Sequence, residues 1–287
     1  LMQTRAATLG WMASRGPMPV YLRYAGAHTT RWSGGDGANW QNFKRGSDIR
    51  RAICAPDGHL LAPIDLSQIE CRILNYLAKQ DDVIERFRNG EDPYIGIASQ
   101  AYGFPVTKAH TKERGTGKQL ELSCGYQAGA ATIQNTARLG IYGPPVTIDL
   151  QTAIRWRDIY RDTHPQVVAY WGEAGRMIAR LANGPPVDWG PMHIQDKRIY
   201  GPGGTMLHYD TLEFHRPTQE EIDQGFISDF EVGGFWRYRT RSGWTKLYSG
   251  KLVENVVQWL ARIVMSQAML RIVDRGYRVV NTTHDEL

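Results

Sequence analysis

Asp65 closes the apolar run HLLAPIDL (59–66), and Asp285 and Glu286 follow a second run, YRVVNTT (277–283). A carboxylate at a strand end is held rigidly. Two such groups brought together by a fold can hold a pair of magnesium ions, about 3.5–4 Å apart, suited to in-line phosphoryl transfer. Magnesium tolerates so few protein ligands because it keeps several waters and takes one or two carboxylates together with substrate phosphates. Taken alone, an Asp after a strand is more often a turn or helix-cap residue.

A second pattern is Arg114-x-x-x-Lys118-x-x-x-Leu122-x-x-x-Tyr126. In a helix, a four-residue step keeps side chains on one slowly turning stripe and advances about 6 Å per step. That rise suits a nucleoside triphosphate laid along the helix: Arg114 and Lys118 on the phosphates, Leu122 on the sugar, Tyr126 on the base or its template partner. A solvated basic turn followed by core Leu and Tyr fits the same spacing. Gly115 and Gly117 each weaken the helix by about 1 kcal/mol relative to Ala.

The elements that must position these groups follow from periodicity. Residues 59–66 and 277–283 read as strands, and residues 67–79 turn helical on Ile69, Ile73, Leu74 and Leu77. From 81 to 200 the chain reads as mainly helical, with breaks at Gly90, Gly103-Phe104-Pro105, Gly143-Pro144-Pro145 and Gly184-Pro185-Pro186. The alternation in GFWRYRTR (234–241) puts Arg237, Arg239 and Arg241 on one strand face and Trp236 and Tyr238 on the other, as in a basic hairpin. Residues 251–275 read as an amphipathic helix on Leu252, Val256, Leu260, Val264 and Met265, ending at Gly276. Residues 26–47 form a loop-rich segment carrying Arg31, Lys44 and Arg45.

With 287 residues, 42% of them hydrophobic, the chain is long and apolar enough for a folded domain or a few packed subdomains, and a disordered protein is excluded. The net charge of +5 suggests an anionic partner. The charge is also unevenly spread: residues 210–232 hold seven acids against Arg216 alone, and residues 233–251 hold five bases and no acid. Cys54, Cys71 and Cys124 form no C-x-x-C pair, so neither a disulfide framework nor a zinc site is indicated and a reducing compartment is expected. No uncharged apolar stretch of about 18 residues is seen, and the start lacks a signal-peptide core, so a soluble cytoplasmic protein without membrane contact is expected.

Several of these segments resemble the motifs of family-A DNA polymerases, the bacterial polymerase-I class and its phage relatives. HTTRWSGGDGANWQN (28–42) looks like their T-G-R-x-S-x-x-x-P-N-x-Q-N stretch. DLSQIECR (65–72) is similar to motif A, D-Y-S-Q-I-E-L-R, and residues 114–126 to motif B, R-x-x-x-K-x-x-x-F/Y-x-x-x-Y-G. KLVENVVQWLAR (251–262) resembles the Gln-bearing helix before motif C, and HDEL (284–287) resembles motif C itself, V-H-D-E. The five matches occur in the family's order and run from residue 28 to the last residue. The wording of KLVENVVQ and the compact spacing look phage-like.

The resemblance implies an α+β fold, a right-hand polymerase core with an antiparallel palm sheet and a helical fingers subdomain. Its parts would be a thumb remnant (1–20), a first palm segment with motif A (20–75), fingers with motif B and an inserted hairpin (76–245), and a second palm segment with motif C (246–287). It implies template-directed addition of deoxynucleotides to a primer 3′ end in DNA replication, with primer-template DNA and deoxynucleoside triphosphates as partners. Asp65 and Asp285 would bind two Mg2+ ions with Glu286 beside them. Glu70 would close the sugar 2′ side against ribonucleotides, and Arg114, Lys118, Leu122 and Tyr126 would hold the nucleotide. Arg31, Gln258 and His284 would contact DNA; donors from Arg31 and Gln258 would meet the N3 and O2 acceptors that every base pair offers in the minor groove.

This sequence departs from the family pattern at named positions. Leu122 stands where Phe or Tyr is usual, Gln127 replaces the Gly after Tyr126, and Leu66 replaces Tyr. Tyr94 stands where many members have a phosphate-facing His, and Glu254 takes a place often held by Asn. Two rivals share the palm: a single-subunit RNA polymerase, against which Glu70 argues, and a non-catalytic DNA-binding module, against which Asp65 and Asp285 argue. Terminal HDEL also matches an endoplasmic-reticulum address, but is read as motif C. Both ends read as cut from a longer frame, and the piece alone is expected to be nearly inactive.

Overall fold

The structure is a computed structural model that describes residues 2–35, 39–43, 47–225 and 227–287. Lys44 and Arg45 of the basic loop, and positions 36–38 of the first motif-like stretch, lie outside the described residues. In chain order the helices are α1 (Met2–Ala13), α2 (Asp48–Arg51), α3 (Ile69–Ala78), α4 (Asp81–Arg88), α5 (Pro93–Tyr102), α6 (Thr111–Gln119), α7 (Ala130–Leu139), α8 (Leu150–Thr163), α9 (Pro165–Asn183), α10 (Gln219–Asp223) and α11 (Ser249–Asp274). The strands are β1 (Leu22–Arg23), β2 (Ser33–Gly34), β3 (Val187–Trp189), β4 (Met192–Gln195), β5 (Arg198–Tyr200), β6 (Met206–His208), β7 (Glu213–His215), β8 (Phe235–Thr240) and β9 (Gly243–Lys246). The result is a mixed helical and antiparallel α+β fold. Its chain divides into two units, Leu1–Ile69 with Gln258–Leu287, and Glu70–Val257.

In the first unit β1 pairs antiparallel with β2, Leu22 opposite Gly34. Trp40 is buried and donates its indole N–H to the carbonyl of Pro19 at 3.1 Å. The Arg262 guanidinium lies over the rings of Trp32 (4.6 Å) and Tyr24 (5.0 Å), so its charge is held by aromatic faces. The runs 59–66 and 277–283, expected as strands, are not regular strands. Among the described residues their pairing is confined to the bridges Asp65↔Glu286 and Thr283↔Glu286. Pro63 has no N–H for a ladder, and Leu60 is 98% exposed, so no apolar face holds residues 59–63 flat.

The second unit is built on α3 to α9. Gly103 ends α5 and Gly140 ends α7, each at positive φ, where a missing Cβ removes the cost of the left-handed turn. Asp92 caps α5 by accepting from the Tyr94 N–H at 3.1 Å. Residues 187–200, expected as helix, are instead strands of a four-stranded antiparallel sheet, β3-β4-β5-β6. The alternation of buried Met192 and Ile194 against His193 and Gln195 is a period of two that the Gly184-Pro185-Pro186 break introduces. A second sheet, β7-β8-β9, contains the expected hairpin. Its basic face is partly neutralised, because Arg237 is paired with Glu213 at 2.7 Å and its guanidinium lies 4.3 Å from the Trp244 ring.

The α11 segment from Leu252 to Ile263 is buried on nearly every side, including Val253, Asn255, Val257, Trp259 and Ala261, whereas Val264 is exposed. It is a core helix and not the one-sided amphipathic helix expected. By length and composition α11 is apolar enough to cross a membrane. Glu254 and Arg262 interrupt any uncharged window, which is why the sequence showed no such stretch.

Candidate active site

In the first unit, Thr283 and Glu286 exchange backbone hydrogen bonds, N–H of Thr283 to the carbonyl of Glu286 at 2.8 Å and the reverse at 2.9 Å. His284 and Asp285 therefore form the tip of a two-residue turn, and His284 takes the left-handed φ of 55° that such a tip requires. The motif-A segment pairs with this turn. Leu66 donates to the Asp285 carbonyl (2.8 Å), Ile64 donates to Leu287 (2.9 Å) and Leu287 donates back to Ile64 (2.8 Å). Asp65 and Asp285, 220 residues apart in sequence, thus sit within one register step of each other. Asp65 is exposed and Asp285 half-buried.

Glu286 has a different environment. Nη2 of Arg50 donates to both of its carboxylate oxygens at 2.8 Å. Arg50 lies on α2, whose start is capped by Ser47. Sequence reading missed Arg50, since nothing in SDIRR marks it apart from other surface bases.

A small recess beside the turn is lined by Arg31, Trp32, Gln41, Met265, Thr282 and His284. Gln41 donates to the carbonyls of Trp32 and Thr282, both at 3.3 Å, which ties the first motif-like stretch to the segment before motif C. Arg31 and His284 are brought together here. Gln258, half-buried on α11, is not part of this lining.

In the second unit α6 carries Arg114 and Lys118 one turn apart. Arg114 donates from Nε to Asp92 Oδ2 at 2.7 Å, and the guanidinium lies 5.5 Å from the Tyr94 ring. Asp92 thereby fixes the arginine and caps α5 at once. Tyr94 is itself 4% exposed, and burial pushes its phenol well above the ordinary tyrosine range, so it is a packed hydroxyl. Among the described residues Lys118 makes no ion pair. Gly117 exists for packing: a Cβ there would lie 1.9 Å from the Tyr94 carbonyl oxygen.

The four-residue stripe does not continue to Tyr126. After Gln119 the chain forms a π-helical turn, Leu120–Cys124, and residues 125–127 are a turn. A π turn adds a residue to the helical repeat. Leu120, Glu121 and Cys124 face inward and Leu122 is half-buried, so the sequence spacing holds for Arg114 and Lys118 and fails beyond them. Tyr126 nevertheless meets Glu70, donating its hydroxyl to Oε2 at 2.8 Å.

Gln127, which replaces a usual glycine, sits at φ 66°, the backbone region glycine adopts most easily. Its side chain compensates. Oε1 accepts from Ser249 Oγ and from the Gly250 N–H, both at 2.9 Å, and so caps the start of α11.

Among the described residues no group of three or more His, Cys, Asp or Glu side chains is arranged to hold a metal ion. The donors present are hard carboxylate oxygens, two per site at most. Such a set suits a hydrated magnesium ion sharing its shell with substrate phosphates and does not suit zinc.

Comparison with known proteins agrees with this geometry. The chain is 28% identical over 252 residues to the DNA polymerase of Bacillus phage SP02, covering 83% of this chain and 36% of that protein. It is 31% identical over 148 residues to DNA polymerase I of Pseudomonas aeruginosa, covering 50% of this chain and 15% of that one. The chain thus spans about a third or less of the length of these relatives. A solved structure, the POL domain of Pol1 from M. smegmatis in complex with DNA primer-template and dNTP, shares the fold at a TM-score of 0.64. That match has 20% identity and covers 98% of this chain and 43% of that one. The family model described as DNA polymerase family A matches residues 21–180, more than half of the sequence, and the chain belongs to that family.

Proposed function

We propose that this chain carries out template-directed DNA synthesis, joining deoxynucleotides to a primer 3′ end during replication, in the cytoplasm of a host cell. The observation that carries the reading is the register at Asp65↔Glu286, which brings the motif-A and motif-C aspartates into neighbouring positions of one antiparallel pair. In the reaction the primer 3′-oxygen forms a bond to the α-phosphorus, and the bond to the β-phosphate oxygen breaks to release pyrophosphate. Asp65 and Asp285 would hold two magnesium ions, which when bound would supply Lewis-acid stabilisation of the attacking and leaving oxygens.

The chain's own residues supply orientation. Arg114, fixed by Asp92, and Lys118 would bind the triphosphate through charge-assisted hydrogen bonds. Glu70, anchored by Tyr126, would stand at C2′ of the sugar with Leu122 beside it. Arg31 and His284, which line the recess, would offer donors to the DNA, and Gln258 a further donor on α11. Arg239 and Arg241 of the hairpin would add sequence-independent phosphate contacts that weaken with salt.

Primer extension by the full-length protein tests the assignment. With deoxynucleotides and magnesium the primer should lengthen, and with ribonucleotides or with chelator it should not. Extension by ribonucleotides alone would identify an RNA polymerase, and DNA binding without any product would identify a non-catalytic module.

A further inference from the structure

A buried cluster of ionisable groups adjoins the nucleotide-binding residues without being one of them. Glu121, on the π-helical turn, and His164, between α8 and α9, are each 3% exposed. Glu121 Oε1 lies 3.4 Å from His164 Nε2, an ion-pair distance too long for a good hydrogen bond, and Oε2 accepts from the Cys71 thiol at 3.5 Å. His164 Nδ1 lies 3.1 Å from the Tyr160 carbonyl oxygen and 2.9 Å from Thr163 Oγ1, which hold the ring from the side opposite Glu121. The His164 ring is stacked on Tyr160 at 4.2 Å and 7°, which fixes its plane. Asn75 donates to the Cys71 carbonyl at 2.8 Å and to its Sγ at 3.5 Å, so it meets the thiol from the other side. Burial and the charge of Glu121 push that thiol well up, so it remains a donor.

Two members of this cluster are each one residue from a group assigned to the nucleotide. Cys71 follows Glu70, and Glu121 precedes Leu122. Tyr160 Oη lies 3.4 Å from where a Cβ on Gly125 would stand, immediately before Tyr126. The Tyr126–Glu70 hydrogen bond closes the circuit at 2.8 Å. A buried charge pair is a poor source of stability compared with packed apolar side chains. What this one provides is a fixed register of three elements, because the carboxylate is satisfied only where α3, the π turn and the α8–α9 junction meet.

We propose that Glu121 is a positioning residue which, held by His164 and Cys71, locks the π turn of Leu122 to the helix of Glu70 and thereby sets the enzyme's selectivity for the sugar. This rests on the polymerase reading above, and Glu121 itself touches no substrate.

The test uses Glu121→Gln, which keeps shape and removes charge, and Cys71→Ala, which removes only the thiol contact and guards against a variant that does not fold. Ile199→Ala, a cavity in the β3–β6 sheet, serves as a comparably destabilised control. Two quantities are read in the same preparations: kcat and KM for a deoxynucleotide and its ribonucleotide in single-nucleotide extension, and amide hydrogen exchange across residues 119–127. Glu121→Gln should lower deoxynucleotide kcat/KM by about tenfold to a hundredfold, mainly through KM, as expected for misplacement of binding groups. It should also reduce discrimination against the ribonucleotide and speed exchange at 120–126. Cys71→Ala should move both in the same direction by less, and Ile199→Ala should leave the sugar ratio unchanged. Unchanged exchange and an unchanged sugar ratio in Glu121→Gln and Cys71→Ala, whatever happens to the melting temperature, would overturn the proposal. Absence of extension by the unaltered full-length protein would instead overturn the polymerase reading, and exchange alone would then decide whether Glu121 holds the turn.

Discussion

Arg50 grips both carboxylate oxygens of Glu286 through a single nitrogen, at 2.8 Å each. The acid immediately after Asp285 is therefore neutralised from within its own unit. Glu286 is better suited to hold the motif-C turn in shape than to bind a metal. Arg50→Ala or Glu286→Gln should lower extension by about tenfold and destabilise the protein by roughly 1 kcal/mol, the scale of a half-buried charged hydrogen bond. Abolition of activity by Glu286→Gln with DNA binding intact would instead make it a direct participant.

Asp65→Asn and Asp285→Asn should behave differently. Both keep the backbone pairing, which uses only main-chain groups, and both remove a negative charge that magnesium needs. Each should reduce nucleotide addition by several orders of magnitude, while primer-template affinity, carried by Arg and Lys, changes little. A gel-shift titration beside single-turnover extension separates the two effects. Retention of more than a small fraction of the parental rate by either variant would remove the carboxylates from the chemistry.

How much of this was legible beforehand varies with the kind of signal. The residues proposed to carry the chemistry were nameable because their types and order are constrained: Asp65, Glu70, Arg114, Lys118, Tyr126 and Asp285 all stand in motif-like stretches, and the Tyr126–Glu70 bond brings two of them together. The α3 and β8–β9 elements followed from periodicity. The π turn at Leu120–Cys124 was not readable, because it depends on where the buried carboxylate of Glu121 finds His164 and Cys71, contacts 43 and 50 residues away. Arg50 and Asp92 escaped for the same reason, as long-range ion pairs leave no local spacing. The missed strands at 187–200 had a readable alternation, obscured by their shortness.

His164 gives the protein a pH dependence. Burial alone would lower its pKa, but the Glu121 carboxylate, the Tyr160 carbonyl and Asp82 more than offset that, and the imidazole titrates above its ordinary value. A histidine raised in the folded state contributes stability that is fully present below the unfolded value, about 6.5, and is lost as pH rises through the folded value. The melting temperature should therefore fall as pH is raised from near 6.5 into the alkaline range, and His164→Gln should flatten that part of the profile. An identical slope in His164→Gln would assign it to other groups.

Gln127 and Gly250 make a coupled pair. A Cβ on residue 250 would lie 2.3 Å from the Tyr126 carbonyl oxygen, so Gly250→Ala should push Tyr126 away from Glu70 and weaken both stability and nucleotide binding. Gln127→Gly relieves a left-handed backbone by roughly 1 kcal/mol but removes a cap of about the same value. Its melting temperature should stay within a few degrees of the parent while Gly250→Ala falls clearly below.

The glycines of the RGTGK segment give the sharpest contrast between propensity and packing. By propensity alone, Gly→Ala inside a helix stabilises by about 1 kcal/mol. At Gly172, exposed in α9 with no atom nearer than 4.0 Å to a new Cβ, that gain should be realised. At Gly117 the new methyl would lie 1.9 Å from the Tyr94 carbonyl oxygen and 3.0 Å from the Ala98 Cβ, so α6 and α5 would have to separate. Forcing apart a packed pair costs about 1–3 kcal/mol or more, which outweighs the propensity gain. The displacement also acts on the helix that presents Lys118 and on the helix start where Asp92 holds Arg114. Gly172→Ala should thus raise the melting temperature and leave nucleotide KM alone, whereas Gly117→Ala should lower the melting temperature and raise that KM. A Gly117→Ala protein as stable as the parent, with an unaltered KM, would mean that the close crossing of α5 and α6 is not what positions the triphosphate-binding residues.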